Sequence, residues 1–190
     1  MKHILAIAWV CILASPVAAV PVEYTLQEDD SVVGFTWFFG QDAVKGTMPV
    51  ARANILLDLQ RLANSQVTVA ADVTGAQAGF LFATQGIKSE KVLWADAHPE
   101  IIFESTMFKR DGSGATVDGL LTVRGVTRPA TFAAKLFRQA GTERGDVSML
   151  SVHLTGSLSR AAYGADGWAD LAGDEVRLSI VARMQIADDN

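Results

Sequence analysis

The sequence predicts an all-β domain, a sandwich or a barrel, carrying one short helix. Apolar and polar residues alternate with period two along most of the chain, the pattern of strands buried on one face. These stretches are rich in Val, Ile, Thr and Phe, and glycine-bearing turns such as Asp111-Gly112, Gly141, Gly145 and Gly173-Asp174 separate them. A single segment, Ala76–Trp94, departs from the alternation.

The first element is a leader. Lys2 and His3 precede an apolar run from Ile4 to Leu13, followed by the small residues Ala14, Ser15, Ala18 and Ala19. A basic start, an apolar middle and a small-residue end describe a secretory signal peptide. Cleavage is expected after Ala19, leaving one secreted domain, residues 20–190. The apolar run of about ten residues is too short to cross a bilayer of roughly 30 Å as a helix, which argues against a retained anchor. The chain's only cysteine, Cys11, lies in this leader behind Trp9 and Val10, where lipid attachment would want a small residue. The mature chain then has no cysteine and must draw its stability from an apolar core.

The strands follow. A short one is expected at Tyr24–Leu26, then Ser31–Phe39, Val50–Leu59, Val67–Val73, Ile101–Phe108, Thr116–Arg124, Thr131–Gln139, Ser148–Ser159 and Glu175–Ile186. Within Val67–Val73, Val67, Val69, Ala71 and Val73 share one face; in the next strand Ile101, Phe103, Ser105 and Met107 do so. In Ala76–Trp94 the residues Phe80, Ile87 and Trp94 recur at helical spacing, but Gly79 and Gly86 each weaken a helix by about 1 kcal/mol. One short helix is therefore expected at Ser89–Leu93, with Ser89 as its N-cap, stopped by His98-Pro99.

Composition excludes several functions. With 16 basic and 21 acidic residues and no basic cluster, the chain is unsuited to nucleic acid or to anionic membrane surfaces. There is no G-x-S-x-G nucleophile elbow, no phosphate-binding glycine loop and no calcium-loop pattern. His98 and His153, the two histidines beyond the leader, are 55 residues apart and give no zinc spacing. No catalytic residue, metal or cofactor is expected. A carboxylate pair facing across strands is not visible in a sequence and stays open.

What remains is apolar chemistry. Phe35, Trp37 and Phe39 share a strand face, and Trp94, Phe103, Val123 and Phe132 are further large apolar residues. A barrel of about eight strands is just wide enough for its own side chains or one small ligand. Small inward residues such as Ala71, Ala133 and Ala182 would leave space open. From alternation alone a filled core and a cavity fit equally well.

Four stretches resemble the YceI-like family of bacterial periplasmic proteins, also described as polyisoprenoid-binding. Ser31-Val32-Val33-Gly34-Phe35 is similar to its opening S-x-V-x-F strand. His98-Pro99-Glu100-Ile101-Ile102-Phe103-Glu104-Ser105-Thr106 resembles its P-x-I-x-F-x-S-T segment. Gly119-Leu120-Leu121-Thr122-Val123-Arg124-Gly125-Val126-Thr127-Arg128-Pro129 resembles its G-x-L-T-i-r-G-v-T-r-P hairpin. Arg160-Ala161-Ala162-Tyr163-Gly164 with Gly173-Asp174-Glu175-Val176 is similar to its closing pattern. Gly125 suits a tight turn at positive φ, and Arg124 and Arg128 are expected to be solvated there.

The resemblance implies an antiparallel, lipocalin-like barrel of about eight strands that holds an isoprenoid lipid or the tail of a quinone. Its expected inward face comprises Phe35, Trp37, Phe39, Val69, Ala71, Phe103, Val123 and Phe132, with Trp94 near the mouth. Many relatives carry a histidine soon after the first strand, where this chain has Trp37-Phe38-Phe39-Gly40, so no head-group role is carried over. Two other readings stand beside lipid carriage. One is an accessory protein with a filled barrel that docks on a membrane-bound, cytochrome-type electron-transfer partner. The other is a hydrolase or isomerase using a carboxylate pair. No particular oligomeric state is required.

Overall fold

A computed structural model describes residues 20–187; the expected leader, residues 1–19, lies outside the described residues. The described residues are mostly strand: β1 (Val22–Leu26), β2 (Val32–Phe39), β3 (Asp42–Met48), β4 (Val50–Leu57), β5 (Gln66–Asp72), β6 (Gln77–Ala78), β7 (Glu100–Asp111), β8 (Gly114–Val123), β9 (Val126–Arg138), β10 (Met149–Ser159) and β11 (Glu175–Ile186), with one α-helix among them, α1 (Leu81–Lys88). All pairings are antiparallel.

The sheet closes on itself. From β4 it runs β5, β7, β8, β9, β10 and β11, and β11 then pairs with both β1 and β2. Val181 to Arg177 of β11 face Val32 to Thr36 of β2, while Ile186 to Met184 face Tyr24 to Leu26 of β1. β1 and β2 are thus two halves of one strand, interrupted by a 3-10 turn at Glu28–Asp30. β3 and β4, separated by Pro49, form a second broken strand that pairs with β2 above and β1 below. Pro49 supplies no N–H to a ladder, which fits a break at that point. The result is an eight-stranded antiparallel barrel, and full closure leaves few free edges.

Every expected strand is present, with ends shifted by a few residues. The expectation missed β3 and β6. β3 carries Gly46 and Lys45 in the middle of a short alternation, which hides it among turn residues; the signal is Gly40, whose φ of 59° closes the β2–β3 hairpin.

The helix is displaced from its expected position. It spans Leu81–Lys88, and Ser89 ends it, its hydroxyl donating to the Gly86 carbonyl at 2.6 Å. Tertiary packing overrides the glycine cost: Ala83 and Ile87 turn toward the cavity, with Phe80 at its rim, and Ile87 is buried against Phe35, Met48, Ala71 and Ala76. The helix caps the barrel end that also carries the β2–β3 turn, the β8–β9 turn and the long 160–174 connection. The opposite end carries the β4–β5 loop, the β7–β8 hairpin and the β9–β10 loop.

Candidate functional site

The barrel encloses one continuous cavity of about 980 Å3. That lies at the upper end of the roughly 300–1,000 Å3 range of small-molecule sites. Its wall is the inward face of nearly every strand, and it is almost wholly apolar.

Three glycines explain why aromatic side chains do not fill this space. Gly46, Gly119 and Gly156 stand at inward positions of β3, β8 and β10, and each has an aromatic ring of the adjacent strand lying over it. Phe35 covers Gly46. A Cβ at Gly119 would meet the Phe103 ring at 2.5 Å, and one at Gly156 would meet the Phe132 ring at 2.8 Å. Each ring occupies the place of a missing side chain and lies along the wall, the pairing that rescues glycine in sheets. Phe103 and Phe132 then meet edge to face at 5.1 Å, and Phe35 stacks on Trp37 at 5.8 Å.

Of the nine residues expected at the ligand, Phe35, Trp37, Phe39, Val69, Ala71, Phe103, Val123 and Phe132 line the cavity. Trp94 does not. It sits at positive φ (51°) outside the barrel end, edge-on to His98 at 5.6 Å and beneath the Arg124 guanidinium. Among the small residues, Ala71 and Ala182 line the cavity, but Ala133 pairs outward and its neighbour Ala134 faces in. Met107 also corrects the expectation. A bulge in β7 places Ser105 opposite Gly119 and Met107 opposite Asp118, with Thr106 extra. Beyond it the inward face passes from odd to even residues, so Phe108 and Arg110 line the cavity while Met107 is exposed.

The arginines of the β8–β9 turn are not free in solvent. Arg124 donates to the carbonyls of Val92 and Gly164, and Arg128 to that of Ala162, tying the turn to the loops beside it. Gly125 takes φ 73° as expected. The histidines are accounted for by packing: His98 against Trp94, and His153 on the outer face against Phe137.

Two arginines are the only charged residues on the cavity wall, where no Asp, Glu, Lys or His is found among the described residues. Arg160, 8% exposed, stands at the helical end. It donates to four carbonyls: Gly173 at 2.9 Å, Ala165 at 2.6 Å, Gly167 at 2.8 Å and Ala172 at 2.7 Å. A buried guanidinium satisfied this way is a clamp on the 160–174 connection. Asp174 helps to hold the same connection. Its carboxylate accepts from the Ser159 hydroxyl and the Ala161 amide and lies near Arg160, which together keep its pKa below the usual range. Tyr163, buried against Leu121 and Val123, has its phenol pKa raised by burial, the Arg128 charge opposing this in part. Arg110, at the hairpin end, is the second charge.

Around the helical end the wall runs out onto the surface. Phe82 is 79% exposed, Leu171 54% and Phe80 58%, and Phe39 and Trp168 are also exposed, yet all five line the cavity. The Gly40 amide donates to Leu171 at 2.8 Å, and Trp168 lies over Gly86, so these residues form one rim around a mouth.

The profile of the YceI-like domain matches residues 24–184. The chain belongs to the YceI-like family. A YceI protein of Escherichia coli O17:K52:H18 (strain UMN026 / ExPEC) is 24% identical over 147 residues, covering 73% of this chain and 74% of that protein. The UPF0312 protein ECA1782 of Pectobacterium atrosepticum is 26% identical over 148 residues, 73% of each chain. Among solved structures, Burkholderia cenocepacia BcnA superposes with a TM-score of 0.74 at 16% identity, over 84% of this chain and 99% of that one. A Campylobacter jejuni YCEI protein superposes with a TM-score of 0.62 at 13% identity, over 99% and 100%. These similarities establish the barrel, and a YceI-like barrel with an apolar interior is consistent with binding a hydrophobic ligand.

Arg160, Arg110, Tyr163 and the rim residues Phe80, Phe82, Trp168 and Leu171 escaped the sequence reading of this YceI-like chain. For Arg160 the signal was its place in the closing family pattern. For Arg110 the β7 bulge hides the inward face.

Proposed function

We propose that this protein binds a long apolar molecule of isoprenoid type, a polyprenyl lipid or quinone tail, inside the barrel and carries it in the periplasm. The observation that supports this most is the apolar cavity of about 980 Å3 running between the two barrel ends. Each CH2 moved from water into such a wall gains about 0.8 kcal/mol, so chain length alone supplies affinity. The periplasmic assignment rests on the signal-like residues 1–19.

The cavity gives no support to a filled barrel serving only as a docking surface. A carboxylate-pair mechanism would need two facing acids, and the described wall holds none. The test is native mass spectrometry of protein purified without detergent, before and after incubation with a polyprenyl alcohol. A lipid adduct, or uptake of the alcohol at one per chain, is expected. Bare polypeptide in both spectra overturns the reading.

A further inference from the structure

We infer that Arg110 holds the head of the bound lipid, and that the head is anionic: a carboxylate or a phosphate monoester. This rests on the reading of the barrel as a lipid-binding cavity and adds to it the chemistry of the ligand's polar end.

The case begins with charge. The chain as a whole is acidic, with a formal net charge of −5. The cavity wall inverts that sign, since its only charged side chains among the described residues are Arg110 and Arg160. The two are not equivalent. Arg160 already spends its donors on four backbone carbonyls and has little left for a ligand. Arg110 makes one weak contact, from Nη2 to the Leu59 carbonyl at 3.3 Å. Among the described residues no carboxylate lies within ion-pair distance of it.

Its position is set by the sheet. The bulge at Ser105–Met107 turns Phe108 and Arg110 toward the lumen and sends Lys109 outward, where it pairs with Asp118 at 2.9 Å. Arg110 lines the cavity and is at the same time exposed, so it stands where the lumen meets solvent. From β7 its side chain reaches toward the β4–β5 loop at Leu59, beside Leu62 and Ser113, which also line this end of the cavity. The nearby loop carboxylate, Asp58, is committed to the Gln60 and Arg61 amides and the Asn64 side chain. A guanidinium left with free donors at the end of an apolar cavity is matched by a bidentate oxyanion, the geometry that carboxylate and phosphate share.

The experiment compares lipids of one chain that differ only at the head. Geranylgeranyl monophosphate against geranylgeraniol is the phosphate arm, and hexadecanoate against hexadecanol the carboxylate arm. Affinities are measured for the wild type, Arg110→Gln and the surface control Lys109→Gln. The anionic member of at least one pair is expected to bind about tenfold tighter to wild type, the value of a charge-assisted hydrogen bond. Arg110→Gln should erase that preference while leaving alcohol affinity within about twofold, and Lys109→Gln should keep it. The arm that shows the preference identifies the head. Equal affinity within both pairs in the wild type overturns the inference, as does a preference that survives in Arg110→Gln. Failure of every lipid, alcohols included, to bind would instead bring down the lipid-binding reading itself, and this inference with it.

Discussion

The two ends of this barrel are built to opposite plans. At the helical end the backbone is tied down and the surface is apolar. Arg160 clamps the 160–174 connection through four carbonyls, while Phe80, Phe82, Trp168 and Leu171 face solvent around the mouth. At the hairpin end the loops organise themselves by local carboxylate turns, Asp58 in the β4–β5 loop and Asp146 before β10, and the cavity-facing arginine is nearly free. The same side chain type therefore does two jobs. Where every donor meets a carbonyl, arginine is scaffold; where the donors are open, it is available to a ligand. Contact geometry, not residue identity, separates them.

Exchanging the arginines is the most severe test of this contrast. Arg160→Met leaves four carbonyls without their donor, those of the buried Ala165 and Ala172 among them, and is expected to cost roughly 3–5 kcal/mol of unfolding free energy in urea melts. Arg110→Gln removes one long contact at the surface and should change stability by less than about 0.5 kcal/mol. Similar losses from the two substitutions would erase the distinction between scaffold and free arginine.

The lumen between the ends depends on the glycine–aromatic pairs. Gly156→Leu places a side chain where the Phe132 ring now lies and drives it, or the ring, into the cavity. Overpacking of this kind costs about 1–3 kcal/mol of stability. It should weaken long-chain binding about tenfold or more, because displacing two methylenes from the wall forfeits about 1.6 kcal/mol. A variant that is destabilised yet binds a C20 alcohol as well as wild type would show that the chain does not occupy this part of the lumen.

Much of the barrel was legible in the sequence, and the reasons differ by element. Nine strands were readable because their period-two alternation spans enough residues to stand out. β3 was not, because Gly46, needed to accommodate Phe35, and Lys45 dilute the pattern in a seven-residue strand. The helix was misplaced because Gly86 was weighed as a breaker, while burial of Ile87 on the barrel outweighs it. Eight of the nine proposed ligand residues lie on the wall because they sit in strands whose face is fixed by alternation; Trp94 belongs to an irregular segment where no period assigns a direction. Arg110 was hidden by a bulge, a one-residue insertion that reverses every later side chain and leaves no mark in composition.

The rim offers a kinetic test of the helical end. Phe82 protrudes into solvent, so Phe82→Ser should alter stability by no more than about 0.5 kcal/mol. If the apolar rim is the entry for lipid, uptake of a polyprenyl alcohol from neutral vesicles should slow severalfold while equilibrium affinity changes little. An unchanged uptake rate would shift the entry to the hairpin end.

The smallest effect is expected at the hairpin end, and it depends on pH. The Asp58 carboxylate accepts from the Arg61 amide at 2.7 Å, the Asn64 side chain at 2.9 Å and the Gln60 amide at 3.0 Å. These bonds hold its pKa below the ordinary carboxylate value, the Arg61 amide being the largest cause and burial opposing them. A depressed folded-state pKa means that the unfolded chain binds the proton more readily. The stabilisation is therefore complete above the unfolded value of about 3.9 and is lost as pH falls through the lower folded value. Asp58→Asn should lower the melting temperature modestly at neutral pH, and the gap to wild type should close in acid below about pH 4. Asp174, whose pKa is lowered in the same direction by Ser159, the Ala161 amide and Arg160, is the matched probe at the helical end. Asp174→Asn should likewise lose its deficit as pH falls below about 4, because protonation of Asp174 in the wild type removes the same charge from beside Arg160, which still holds the connection through its four carbonyls. A deficit that persists undiminished below about pH 3 at either end would mean that the carboxylate's charge is not what holds that turn.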